Sequence, residues 1–323
     1  MKFFPPLPET SNAPTVEGAK LGRFLFYDPI LSADRTVSCA SCHRQEVAFS
    51  DAPQRFSRGI HGDTLARNTM PLFNLGWYPA LFWDGRATSI EEQVFHPVRD
   101  HKEMDLDWPL AVERIRASTF YQNRFRMAFG TETIDSTLIA NAIAQFERTL
   151  ISKDSKYDRA LRGEAHLTRE EYEGFVLMND QSKGDCLHCH TTDSDALGTT
   201  ARFSNNGLEA ATGPQEYADQ GKAAVTGKPE DVGRFRIPSL RNVAVTAPYM
   251  HDGRFETLEE VVDFYSEGVR NSYNVDPKMA SAHRGGVRLT TAEKAHIVAF
   301  LHALTDSVFL SNPEFGNPFV GDD

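Results

Sequence analysis

Two short stretches decide how this chain is read: Cys39-Ala40-Ser41-Cys42-His43 and Cys186-Leu187-His188-Cys189-His190. Both are Cys-x-x-Cys-His, the spacing by which two thioethers anchor a c-type haem while the adjoining imidazole ligates its iron. Cys-x-x-Cys also serves zinc sites, thioredoxin-like redox pairs and structural disulfides. Here the four cysteines of the chain all lie inside the two motifs, and both motifs end in His. A single zinc drawing ligands from both would leave the paired histidines unexplained. Two covalently attached haems are therefore expected, held by Cys39, Cys42, Cys186 and Cys189, with His43 and His190 on the irons.

Around these motifs, 323 residues suit two domains of ordinary size. The polar, Gly-containing stretch 152–164 reads as their connection, giving 1–160 and 161–323. A hydrophobic content of 40% with 22 Phe supports well-formed cores. No apolar run approaches the roughly 18 residues of a membrane span, so a soluble globular protein is expected. The start, Met1-Lys2-Phe3-Phe4-Pro5-Pro6, lacks the apolar core of a signal peptide. Bacteria attach haem covalently on the outer side of the inner membrane, so a periplasmic protein is expected, its leader removed ahead of this numbering. The net charge of −11 argues against nucleic acid as a partner. It suits docking of a basic electron-transfer protein, and equally well plain solubility.

The periodicity is helical almost throughout. Val16, Ala19, Leu21, Phe24 and Leu25 lie close to one helical face that Asp28-Pro29 stops. Ser89-Ile90-Glu91-Glu92 opens a helix that Pro97 is expected to end. Residues 108–151 are helical again, with a core stripe at Leu138, Ile139, Ala142, Ile143, Phe146 and Leu150. Capping boxes at Thr168/Glu171, Thr257/Glu260 and Thr290/Glu293 open three later helices. Residues 51–87 and the stretch from His190 to about Gly233 are rich in Gly, Asn and other turn formers, and read as long ordered loops. The class is mainly α.

A repeat lies behind the two motifs. Trp83-Asp84-Gly85-Arg86 followed by Ser89-Ile90-Glu91-Glu92 matches His251-Asp252-Gly253-Arg254 followed by Thr257-Leu258-Glu259-Glu260 without a gap. Arg67-Asn68 and Arg241-Asn242 extend the match upstream. Two haem domains of one design follow. The superposition sets Pro97 on Tyr265. Proline cannot ligate iron, whereas a tyrosine phenolate can, so the first haem reads as open and the second as capped. Near the open one, Gln93 and Glu103 offer a carboxamide and a carboxylate. Such groups can take a proton from one peroxide oxygen and return it to the other, which is peroxidase chemistry. Taken alone, Glu103 would be a solvated charge, Tyr265 a half-buried helix residue and Trp83 a core aromatic.

These residues resemble the bacterial dihaem cytochrome c peroxidase and MauG superfamily over nearly the whole chain. The matching stretches include Ser38 to His43, Phe82-Trp83-Asp84-Gly85-Arg86-Ala87, Glu103-Met104, Ala144 to Leu150 and Leu240 to Tyr249. The resemblance implies two cytochrome c-like domains, a peroxidatic N-terminal haem and a C-terminal electron-transfer haem. By motif, His43 and His190 are the proximal ligands, Trp83 is the bridge between haems, Gln93 and Pro97 line the distal pocket and Glu103 is its acid–base residue. It also implies a calcium ion held by Asn68 and the carbonyls of Thr246 and Pro248. In the peroxidases proper the second haem carries a distal Met. Tyr265 takes that place here, as in MauG, with Met250 and Met279 nearby but out of register. His61, in Gly59-Ile60-His61-Gly62, stands one residue out of register from the removable distal His of many peroxidases. It is either a switching ligand of the first haem or a surface residue.

Three functions follow in order. The first is a periplasmic peroxidase that reduces hydrogen peroxide to water with electrons from a small cytochrome c or cupredoxin, passed from the second haem to the first. The second is a MauG-like oxidase that stores two oxidising equivalents across both haems and oxidises aromatic side chains of a protein substrate. The third is a dihaem electron carrier without catalysis. A homodimer is compatible with all three.

Overall fold

The computed structural model describes residues 4–191, 197–279 and 281–320. The chain is mostly helical with very little sheet and divides into two units. The N-terminal unit takes Pro6–Pro79, Ala87–Ser152 and the chain from Val308 onward. Its helices are α1 (Val16–Tyr27), α2 (Cys39–Cys42), α3 (Ile90–Arg99), α4 (Trp108–Arg116), α5 (Thr119–Phe129) and α6 (Ser136–Thr149).

Helix α1 begins where the Thr15 hydroxyl accepts the Gly18 N–H at 3.0 Å, and stops at Asp28, whose carboxylate caps the following turn through the Ile30 N–H. It lies directly on α6. A Cβ added at Gly22 would sit 1.9 Å from the Ala142 carbonyl oxygen, so only glycine permits the approach. The sequence stripe on α6 is the buried face, and Phe146 meets Phe26 edge-on at 5.3 Å. Phe26 also touches Phe49, just beyond the first haem motif.

Helix α3 passes Pro97 and ends at Arg99, beyond the stop expected from the sequence. The proline stands in the last turn, where it removes the single N–H that would have met the Gln93 carbonyl and allows its preferred φ. The Pro97 and Val98 carbonyls are taken instead by the N–H groups of Met104 and Leu106, at 3.1 and 2.8 Å.

The C-terminal unit holds Ala80–Arg86 and Lys153–Ser307. It contains α7 (Lys156–Leu161), α8 (Arg169–Asn179), β1 (Phe203–Ser204), α9 (Ala223–Thr226), β2 (Phe235–Arg236), α10 (Leu258–Asp263) and α11 (Thr291–Ala303). Helix α12 (Ser307–Ser311) stands where the chain returns to the first unit. A boundary at 160/161 would cut α7. Its Asp158 forms a buried bidentate pair with Arg241 of the same unit, one of the two bonds measuring 2.8 Å. The unit therefore begins before α7, and the Trp83 segment belongs to it.

Here α8 packs on α11 as α1 packs on α6. A Cβ at Gly174 would fall 2.0 Å from the His296 carbonyl oxygen. Leu187, inside the second haem motif, is part of the core made by Tyr157, Met178, Val262, Ile297, Phe300 and Leu301. The only regular pairing among the described residues is β1 with β2, antiparallel, two residues each. No helix among the described residues is long and apolar enough to cross a membrane.

Candidate active site

Both Cys-x-x-Cys-His motifs are short helical turns that end in a histidine held the same way. The His43 Nδ1 lies 2.7 Å from the Phe49 carbonyl oxygen, and the His190 Nδ1 lies 2.9 Å from that of Pro238. A carbonyl can only accept, so Nδ1 carries the proton and Nε2 keeps its lone pair for a metal. Burial lowers each imidazole to about 4, against the opposing pull of those carbonyls, so both stay neutral as iron ligands must. None of the four cysteines is in a disulfide. Burial pushes the Cys42 and Cys186 thiols up to about 11 and 12, and raises Cys39 and Cys189 in the same direction. A pair of free thiols beside an imidazole that keeps one nitrogen for a metal fits covalent haem attachment at both motifs.

The first motif shares its surroundings with Glu103. The carboxylate is half-buried, and its charge raises both Cys39 and Cys42, which sets it beside the motif. Its position is fixed by backbone on both sides. The Glu103 N–H donates to the Asp100 carbonyl at 2.9 Å, and its own carbonyl accepts the Ile60 N–H at 3.0 Å. Gln93 and Pro97, four apart on α3, present one face of that helix, and both are half-buried. Glu147 on α6, absent from the sequence reading, also raises Cys39. Burial lifts its own carboxyl to about 8, Arg148 opposing and Glu91 adding to the rise, and its Oε2 has no hydrogen-bond partner among the described residues.

The second motif faces Tyr265. Helix α10 passes without a break into a π-helical turn, Phe264–Gly268, which carries this tyrosine. Extra residues of this kind inside helices recur at functional sites. Burial pushes the phenol up to about 12; a hydrogen bond from Asn206 pulls the other way, and Cys186 and Cys189 add to the rise. The second haem motif is thus within electrostatic reach of the Tyr265 oxygen. Asn206 Nδ2 donates to the phenol oxygen at 3.1 Å and approaches the Met250 sulfur at 3.7 Å. Met250 and Met279 pack in the same cluster as Tyr265. Asn206 carried no sequence signal, standing in a stretch rich in Asn and Gly.

The two sites are comparable at their helix ends. Where Met104 and Leu106 donate to Pro97 and Val98, Val287 and Arg288 donate to Tyr265 and Ser266, at 3.1 and 2.9 Å. The residue ahead of Met104 is Glu103, and the residue ahead of Val287 is Gly286. Gly286 has φ +135°, and a Cβ there would meet the Ser266 carbonyl at 2.4 Å. The first site thus has a carboxylate where the second can have no side chain.

Trp83 packs within the C-terminal unit, its carbonyl accepting the Arg236 N–H at 2.8 Å. Its ring meets His251 edge-on at 6.4 Å, and His251 stacks on Phe235 at 3.7 Å. Trp83 and His251 are the two residues that the repeat superposes. The Asp-Gly-Arg after each closes the same local ion pair, Asp84 with Arg86 and Asp252 with Arg254.

His61 is placed differently from a haem ligand. Its Nε2, the nitrogen that would reach iron, lies 2.8 Å from Asp105 Oδ2, and its side chain is exposed. Of the residues expected to bind calcium, Asn68 belongs to the N-terminal unit and Thr246 and Pro248 to the C-terminal one. Asn68 turns its Nδ2 to the carbonyls of Gln54 and Arg55, and the expected donors are all oxygens, the type calcium takes.

Comparison with known proteins agrees with this geometry. Residues 16–166 match the family model described as di-haem cytochrome c peroxidase. Methylamine utilization protein MauG of Methylorubrum extorquens is 36% identical over 298 residues, which is 91% of this chain and 80% of that protein. Cytochrome c551 peroxidase of Nitrosomonas europaea is 32% identical, over 94% of this chain and 83% of its own length. Among solved structures, a MauG-like protein associated with microbial copper homeostasis superposes with a TM-score of 0.89 at 36% identity, covering 99% of this chain and 98% of that one. With two haem-attachment motifs set in matched surroundings and relatives of this closeness along nearly its whole length, the chain belongs to the di-haem cytochrome c peroxidase and MauG family.

Proposed function

We propose that this protein is a periplasmic MauG-like dihaem oxidase, which uses hydrogen peroxide to withdraw electrons from aromatic side chains of a protein substrate. The observation that carries this reading is Tyr265, lodged beside Cys186 and Cys189 and held by Asn206. When bound, the two haems supply the redox chemistry with peroxide; the residues decide which haem meets it. At the first, Pro97 can offer no ligand and would leave peroxide room to bind, while Gln93 would orient it. Glu103 takes the proton from the inner peroxide oxygen and returns it to the outer one, which leaves as water. The second peroxide oxygen also ends as water, at the cost of two electrons and two protons in total.

At the second haem, Tyr265 would supply a phenolate ligand, which would lower the potential and disfavour delivery of electrons from an ordinary high-potential cytochrome. Burial keeps the free phenol neutral, so Tyr265 would give up its proton in taking that role. Gly286 leaves the position that corresponds to Glu103 without a side chain. Trp83, with His251 and Phe235 stacked behind it, lies on the electron path.

The peroxidase reading shares every residue of the first site and parts from this one only at Tyr265. Replacing Tyr265→Met separates them. The oxidase reading predicts a raised second-haem potential and a gain in turnover with a reduced small cytochrome c. If wild type already turns over with that donor and the replacement changes neither quantity, Tyr265 is not a ligand and the peroxidase reading takes its place.

A further inference from the structure

Away from the haem motifs, three side chains of the N-terminal unit converge at the surface. His61 Nε2 and His101 Nδ1 lie 2.8 and 3.1 Å from one and the same oxygen, Asp105 Oδ2. The three ligand-capable atoms all fall within 4.8 Å of one another, and the two imidazole rings sit 4.7 Å apart. Two ligands at bond lengths of about 2.0–2.1 Å on one ion are about 2.9 Å apart at a right angle and about 3.3 Å apart at a tetrahedral one. Both His-to-Asp separations match such edges. The side chains are 43%, 73% and 33% exposed, which leaves the exposed His101 ring free to turn and water free to complete the coordination. Asp34 lies close enough for its charge and that of His61 to influence each other, which adds negative potential.

The backbone beneath is built for close contact. Asp105 is held at φ +48°, a left-handed conformation uncommon for a residue with a side chain. Gly59 packs so closely that a Cβ would fall 2.0 Å from the Lys102 carbonyl oxygen, and the Ile60 N–H donates to Glu103. The three side chains therefore sit across the seam between the 59–62 loop and the 100–105 turn that carries Glu103.

We propose that His61, His101 and Asp105 form a binding site for one divalent transition-metal ion of the zinc or copper type. Two imidazoles and one carboxylate suit these ions and suit calcium and magnesium poorly. The bound ion fastens the loop to the turn, and so bears on where Glu103 stands. This site is independent of whether the protein acts as oxidase or peroxidase.

The test uses the full protein with both haems in place, stripped with a chelator and dialysed against Zn2+, the metal counted by mass spectrometry. One zinc per chain is expected in wild type. In His101→Gln and Asp105→Asn, affinity should fall by about 100-fold or more, with haem absorption unchanged. Cu2+ in the same site should give an electron paramagnetic resonance spectrum split by two nitrogens, reduced to one in His101→Gln. Absence of stoichiometric zinc in wild type, or equal zinc in wild type and both variants, overturns the proposal.

Discussion

Three ionisable groups, Glu103, Tyr265 and Glu147, stand near the two haem motifs, and burial raises the last two. Glu103 is partly buried and, in the proposed mechanism, carries the proton. Replacing Glu103→Gln should lower kcat/KM for peroxide by about 10²–10⁴-fold with both haem spectra intact; a loss under tenfold would show that the proton moves elsewhere. Asn206 donates to the Tyr265 oxygen and so draws charge away from it. Replacing Asn206→Leu should make the phenolate a stronger donor and move the second-haem potential downward, measured by spectroelectrochemistry, while leaving the first unmoved. Glu147 is held protonated, at about 8 against an ordinary 4.5. A carboxyl whose folded value is raised contributes stability that is complete below 4.5 and lost as pH climbs toward 8, at about 1.4 kcal/mol per unit at most. Glu147→Gln should therefore flatten the fall in stability between pH 4.5 and 8 and raise the melting temperature at neutral pH.

At the scale of elements, helix starts and core faces were legible. Thr168, Thr257 and Thr290 each accept the N–H three residues on, as their capping boxes require, and the α6 stripe is buried as its period demands. Helix ends were less so: nothing local distinguishes a proline that stops a helix from one in its last turn, and α3 runs on because Met104 and Leu106 serve its carbonyls. The π turn at Tyr265 was invisible for the same reason, its carbonyls being met by Val287 and Arg288, some 20 residues along the chain. Among the site residues, those with a motif or a repeat partner could be named from sequence, as His43, His190, Trp83 and Tyr265 were. Asn206, and the meeting of His61 with His101 and Asp105, depend on contacts between separate segments and could not be, although His61 alone stood out as a candidate ligand. The paired glycines make an element-scale prediction. Gly22→Ala and Gly174→Ala each drive a methyl into a carbonyl oxygen across a helix crossing. Each should cost about 1–3 kcal/mol or more of unfolding free energy by denaturant titration, whereas an exposed Gly163→Ala change would act only through its left-handed backbone.

For the whole molecule, one design serves two haem sites with opposite equipment. The first joins Pro97, which cannot ligate, to the carboxylate of Glu103; the second joins Tyr265 to a position where Gly286 excludes any side chain. Their division of labour, one site open to peroxide and the other closed, is the central claim, and Tyr265 is its hinge. The most direct measurement mixes the fully oxidised protein with hydrogen peroxide, without reductant, and follows absorption into the near infrared. A rapid reaction that yields a long-lived near-infrared band in wild type, lost in Tyr265→Met, is the predicted result. A protein inert to peroxide until one electron has been supplied would contradict it, since the first site would then be closed in the oxidised state.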